Sequence, residues 1–239
     1  MPIPWLESEK IGFPPREMAL SEPNGLLAAG GALSIEWLIQ AYTKGIFPWY
    51  EPGQPIFWWT PNPRLILTPG TFKVSRSLKK LIRNHKYRIL FDSNFSEVIY
   101  QCSRTRRESA GTWITPEMES AYTDLHKYGY AHCVEVWSDS ALVGGLYGVA
   151  LGKVFFGESM FSLENNTSKL ALFYLTLELK KQGFELIDCQ IRSDHLLTLG
   201  AVNISREKFN EKLDELITIN EDNLGKWETN LCDLSCIDG

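Results

Sequence analysis

The sequence is short of the residues that announce a small secreted domain or a metal site. It has five cysteines (102, 133, 189, 232 and 236), an odd number with no C-x-x-C among them, so neither a disulfide framework nor a bound metal is expected. Long apolar runs are also missing. The glycine-rich stretch 141–156 is interrupted by Lys153, and MPIPWLESEK has no basic region leading into an apolar one. Neither a membrane span nor a signal peptide is therefore expected, which points to a reducing cytoplasm and no membrane partner. No repeats or low-complexity tracts appear. At 239 residues, 44% hydrophobic and 22% charged, the chain reads as an ordinary globular protein, with room for one large domain or a large and a small one.

Negative charge is scarce in one region of an otherwise acidic chain. The net charge is −5, yet between Arg64 and Arg107 stand eleven basic residues opposed only by Asp92 and Glu97. Arg76, Lys79, Lys80 and Arg83 recur at i, i+3, i+4, i+7 and share one helical face with no acid to pair with them. A solvated helix face is the plain explanation. A surface that docks a phosphate backbone is the other, because phosphates relieve such repulsion.

Proline and tryptophan are concentrated at the start. Residues 1–62 hold nine of the twelve prolines, and SIEWLIQAYTKGIF is their one clear helix. Ser34 suits its cap, Trp37, Leu38, Ala41 and Tyr42 its apolar face, and Gly45 its stop. NGLLAAGG and PWYEPGQPIFWWTPNPR read as turn-rich. The division expected is a small N-terminal domain, 1–62, and a larger one, 63–239. Most of the aromatics in 47–59 are expected in the core, but Trp49, between Pro48 and a turn, is placed to expose its indole. With Trp113 of GTWIT it makes a platform for an unpaired base.

From Tyr87 the pattern runs strand, helix, helix (Pro116 in its first turn), strand. The stretch 142–201 then reads strand, turn, strand, helix, strand, helix. An α+β fold with a mixed sheet in N-acetyltransferase-like order is predicted. SLENNTSKLA, where a phosphate-binding turn for coenzyme A belongs, contains no glycine, so no cofactor is expected. In FELIDCQI, strict alternation places Leu186, Asp188 and Gln190 on one face and Ile187, Cys189 and Ile191 on the other. An acid and an amide side by side on a buried strand need a partner, water or a substrate. They are either a structural pair or part of a site.

EPNGLLAAGGALS, GIFPWYEPGQPIFWWTPNPR, GTWIT, HCVEVW, LVGGLYGVALGKVFFGESMFS and LIDCQ with DH..LGA together resemble the bacterial leucyl/phenylalanyl-tRNA protein transferase family, in order and over about residues 13–201. The resemblance implies an aminoacyltransferase, a monomer by expectation. It takes leucine or phenylalanine, and methionine less well, from Leu-tRNA, Phe-tRNA or Met-tRNA. It joins them to proteins with N-terminal Arg or Lys, marking these for N-degron degradation. It implies a donor side-chain pocket, for which Leu146, Phe155, Met160, Leu175 and Ile187 are candidates, each of which also suits plain core. It assigns Trp49 and Trp113 to the terminal adenosine, and Arg76, Lys79, Lys80 and Arg83 to tRNA phosphates. Asp188, Gln190 and Glu158 are the catalytic candidates: Asp188 to attract or orient the ammonium and then receive a proton through its network, Gln190 to orient rather than deprotonate, and Glu158 to meet the acceptor's cationic side chain or the aminoacyl amine, or to act as a structural cap. Ser193 stands where asparagine is expected, and His195 is expected to brace the last helix. No Ser–His or Cys–His motif stands out, so the reaction expected is direct aminolysis without a covalent enzyme intermediate.

Overall fold

The computed structural model describes residues 3–109, 113–217, 225 and 227, with the backbone alone for 106–109. The side chains of Arg106 and Arg107, the first two residues of GTWIT and most of the tail lie outside the described residues.

Strands β1 (Trp5–Leu6), β2 (Leu26–Gly30), β3 (Phe47–Pro48) and β4 (Phe57–Trp59) form a four-stranded sheet in the order β1-β2-β4-β3. The turn-rich segments of the sequence therefore carry strands, which are short because proline can sit only where no ladder hydrogen bond is needed. Helix α1 (Ile35–Thr43) follows the sequence pattern closely. The Ser34 side chain accepts from the Trp37 backbone N–H, and Trp37, Leu38, Ala41 and Tyr42 are the buried residues. The chain leaves through Gly45 at φ 67°, where an added Cβ would lie 2.8 Å from the Phe209 ring. Only glycine gives both the left-handed turn and that close approach.

The large sheet follows. Strand β5 (Arg64–Leu67) leads to the basic helix α2 (Arg76–Arg83), then β6 (Arg88–Phe91), α3 (Phe95–Ser109), α4 (Pro116–Lys127), β7 (Ala131–Ser138), β8 (Ala141–Leu151), β9 (Val154–Ser162), α5 (Thr167–Lys181), β10 (Leu186–Gln190), α6 (Asp194–Thr198), β11 (Val202–Ile204) and α7 (Arg206–Leu216). The strand order is β11-β5-β10-β9-β8-β7-β6. β6 to β9 form an antiparallel meander, and the α5 crossover returns β10 parallel to β9. This arrangement, a small N-terminal sheet beside a mixed sheet crossed by helices, agrees with the predicted α+β class.

Alternation along the strands makes two cores. Tyr147, Phe156 and Leu186 face α1, α3, α4 and the N-terminal sheet. Leu146, Phe155 and Ile187 face α2 and α5. Helix α7 belongs to the first core through Phe209 and Leu213, so the end of the described chain packs back onto its beginning. No helix among the described residues is long and apolar enough to cross a membrane.

Candidate active site

The site arises where two parallel strands stop pairing. β9 and β10 are matched from Val154–Leu186 to Phe156–Asp188 and no further. Both strands carry an extra residue just beyond that point. Against β8, Tyr147 pairs with Ser159 and Gly148 with Gly157, leaving Glu158 with no opposite number. Against β5, Asp188 pairs with Ile66 and Gln190 with Leu65, leaving Cys189 extra, and Gln190 turns to φ 63°. A bulge bends its strand and re-aims the side chains around it. Two at one level open the sheet. Gly148 permits the first: a Cβ there would lie 2.2 Å from the carbonyl oxygen of Phe156.

A cavity of about 270 Å³ passes through this gap and is lined from both faces of the sheet. That is near the lower end of the roughly 300–1,000 Å³ typical of ligand pockets. Leu146, Phe155, Met160, Leu175 and Ile187, with Leu172, form its apolar end under α5, and Trp49, Trp113, Glu158 and Gln190 line it as well. The structure thus gathers all seven residues named for substrate and two of the three named for catalysis. Trp49 is 39% exposed, whereas Phe47, Tyr50 and Trp58 are buried. Its position is set by the Trp59 indole N–H, which donates to the Trp49 carbonyl at 2.7 Å.

Asp188 does not line the cavity. It is 0% exposed, and Arg64 donates to it from Nε at 2.8 Å and from Nη2 at 2.6 Å. The expectation that Asp188 meets an ammonium directly is therefore corrected: its cation belongs to the protein. Its remaining contact is structural, since Oδ1 accepts from the Gln190 backbone N–H at 2.9 Å and so holds the bulge. Strict alternation fails for the same reason. With Cys189 extra, both Cys189 and Gln190 line the cavity beside Ile187 and Ile191. Arg64 had counted with the basic surface, but it is buried between the Phe47 and Phe209 rings, at 5.0 and 4.5 Å.

Glu158 is 6% exposed and is surrounded by neutral donors. Oε1 accepts from Tyr42 at 2.8 Å and from Gln190 Nε2 at 2.8 Å, and Oε2 lies 3.0 Å from the Tyr122 hydroxyl. Burial pushes its pKa from the ordinary 4.5 up to about 7, against the pull of the tyrosine hydrogen bonds. Cys189 is no nucleophile here, because burial and the neighbouring Asp188 hold its thiol protonated. Among the described residues, no group of three His, Cys, Asp or Glu side chains is placed to hold a metal.

The four basic residues of α2 are exposed, and among the described residues they make no ion pair. Leu78 and Ile82 bury the opposite side of the helix in the core that α5 shares. Ser193 lines the cavity and caps α6, accepting from the Leu196 N–H. His195 is exposed on α6, outside the lining. Tyr42, Tyr122 and Arg64 were not singled out from the sequence. Tyr42 read as core, and nothing local announces partners 80 and 116 residues away.

Comparison with known proteins adds the family. The model for the leucyl/phenylalanyl-tRNA protein transferase matches residues 66–214, and the one for its N-terminal domain matches 31–62. A leucyl/phenylalanyl-tRNA protein transferase from Nitrosospira multiformis is 54% identical over 219 residues, 92% of this chain and 94% of the relative. One from Cellvibrio japonicus is 55% identical over 211 residues, 88% of this chain and 90% of the relative. Among solved structures, a GCN5-related N-acetyltransferase from Kribbella flavida matches at 13% identity and a TM-score of 0.39, over 73% of this chain and 62% of that one, too distant to carry weight. The matches to both family models and to these relatives establish that the chain belongs to the leucyl/phenylalanyl-tRNA protein transferase family of aminoacyltransferases.

Proposed function

We propose that the protein transfers leucine or phenylalanine, and methionine less well, from aminoacyl-tRNA to the α-amine of proteins beginning with arginine or lysine, marking them for degradation. The observation that carries this reading is the through-sheet cavity, which joins an apolar slot, a fixed carboxamide and a partly exposed indole in one space. The donor side chain fills the slot of Leu146, Phe155, Met160, Leu175 and Ile187. Met160 and the leucines adapt to branched, aromatic and thioether shapes, and a missing methylene costs only about 1–3 kcal/mol there. Trp49, from the small domain of residues 1–62, and Trp113 hold the terminal adenosine by stacking, while α2 grips phosphates without reading sequence.

The chemistry needs positioning more than a reactive side chain. An α-amine titrates at about 7.7–8.0, so a useful fraction is neutral near pH 7. It attacks the ester carbonyl, a C–N bond forms, the bond to the ribose oxygen breaks, and a proton from the amine ends on the released hydroxyl. Gln190 orients the reacting groups, and Arg64 and Asp188 act through it by fixing its backbone. An amide is too weak a base to do more.

The test is transfer of labelled leucine or phenylalanine from charged tRNA to a peptide starting with Arg or Lys, with a Glu-starting peptide as control. Label is expected on the basic-starting peptides alone. No transfer from any charged tRNA would refute the reading.

A further inference from the structure

The three contacts that join Glu158, Tyr42 and Tyr122 are short of one proton. Tyr42 Oη contacts Tyr122 Oη, Tyr42 Oη lies 2.8 Å from Glu158 Oε1, and Tyr122 Oη lies 3.0 Å from Oε2. These three contacts close a triangle of groups, and each needs one hydrogen between its oxygens. The two phenols bring two. Were Glu158 ionised, with each phenol donating to it, the oxygens of Tyr42 and Tyr122 would face each other with lone pairs only, on two buried side chains. Buried groups left unpaired in this way cost about 1–3 kcal/mol.

We propose that Glu158 carries the missing proton on Oε2, closing a ring in which Glu158 donates to Tyr122, Tyr122 to Tyr42 and Tyr42 back to Oε1. The neutral acid this leaves beside the cavity lets an incoming α-amine lose its charge and attack.

Every neighbour fits that assignment. Oε1, the carbonyl oxygen of the neutral acid, accepts from both Tyr42 and Gln190 Nε2, as its two lone pairs allow. The carboxamide is thereby held by its nitrogen end, which leaves Gln190 Oε1 as the end available to the cavity. The charged and titratable groups facing Glu158 are Tyr42 from α1, Tyr122 from α4 with Tyr147 of β8 behind it, and Asp188 from β10. The Arg64 charge on β5 is paired with Asp188 through Nε and Nη2, its Nη1 making no hydrogen bond, and among the described residues no cation pairs with Glu158. Burial then raises the Glu158 pKa to about 7.

The consequence for the reaction follows from simple electrostatics and rests on the aminoacyl-transfer reading above. A carboxylate within reach of the acceptor amine would favour the ammonium, which has no lone pair with which to attack. A protonated Glu158 exerts no such pull. The ammonium gives its extra proton to water, and the second amine proton leaves with the ribose hydroxyl as before. This revises the expectation that Glu158 serves as the anion for the acceptor's cationic side chain or for the aminoacyl amine. Glu158 becomes a positioning residue whose neutrality matters.

Infrared spectra of the unliganded protein carrying carbon-13 glutamate test the proton without any activity. We expect a protonated-carboxyl band at about pH 6 that fades by about pH 9 and is missing in Glu158→Gln. Absence of that band at the lower pH overturns the proposal, whether or not the protein transfers amino acids. The second measurement is single-turnover transfer against pH, corrected for ester hydrolysis, with folding of the variant checked by circular dichroism. Glutamine reproduces the hydrogen-bonding pattern of the neutral acid and cannot ionise. The ratio of rates at about pH 9 and about pH 6 is expected to be at least about tenfold higher in Glu158→Gln than in the unsubstituted protein. An identical alkaline fall in both proteins would overturn the link to catalysis. Failure of the unsubstituted protein to transfer from any charged tRNA would refute the functional reading and leave the infrared result to decide the proton.

Discussion

The large sheet has opposite characters on its two faces at the level where β9 and β10 part. Towards the N-terminal sheet lie Arg64, Asp188, Glu158, Tyr42 and Tyr122, all buried and all tied by side-chain hydrogen bonds. Towards α5 lie Leu146, Phe155, Leu175 and Ile187, with no polar atoms to satisfy. Directional bonds fix geometry, and apolar packing tolerates a choice of shapes. The difference teaches that one face is fixed by directional bonds and the other by packing alone, with the cavity joining them.

Breaking the polar face is expected to do the greatest damage. Arg64→Met strands a buried carboxylate and should lower unfolding free energy by about 3–5 kcal/mol in urea titration. Replacing both partners, Arg64→Met with Asp188→Leu, should recover most of that stability while turnover stays low, because the Gln190 bulge has lost its anchor. Recovery of turnover as well would show that the pair has no positioning role. Next comes a pH effect. The folded Glu158 titrates at about 7 rather than 4.5, so the folded state binds more protons between those values. Stability therefore falls as pH rises through that window, by roughly 3 kcal/mol, and Glu158→Gln should flatten the slope.

On the apolar face, Leu146→Trp should abolish phenylalanine transfer before leucine transfer, a difference of about tenfold or more in kcat/KM. Equal loss of both would signal misfolding. Trp49→Ala should weaken charged-tRNA binding by about 1–3 kcal/mol, one stacked base, with little change in kcat. The mildest change expected is at the periphery. Glutamine at Arg76, Lys79, Lys80 and Arg83 should lower the salt dependence of tRNA binding by about 0.9 for each phosphate no longer neutralised, evenly across tRNA sequences.

Much of this arrangement was legible in the sequence where structure is local. The α1 cap and its four buried residues, the hairpin of β8 and β9, the long α5 and the basic face of α2 all follow from short-range pattern. The five residues named for a donor pocket and the two tryptophans named for the adenosine line one cavity. What escaped is non-local. The N-terminal strands run only two to five residues through proline-rich sequence, too short for a period to show. Helix α7 carries its own amphipathic signal in Phe209 and Leu213, but its partner face is formed at the other end of the chain. The two bulges broke the period-2 rule at the residues where it mattered most, Glu158 and Cys189. Arg64 looked like surface charge because no local pattern reveals an acid 124 residues away.

The sandwich around Arg64 ties distant parts of the chain to one another. Phe47 presses on the guanidinium from the N-terminal sheet, and Phe209 presses on it from the last described helix. A chain still emerging from the ribosome has the first ring but not the second, so the packing on Arg64, which through Asp188 holds the Gln190 backbone, is complete only once that helix has been made. Replacing Phe209 by alanine is expected to lower the proposed turnover from a distance, because Phe209 packs on Arg64 and does not itself line the cavity.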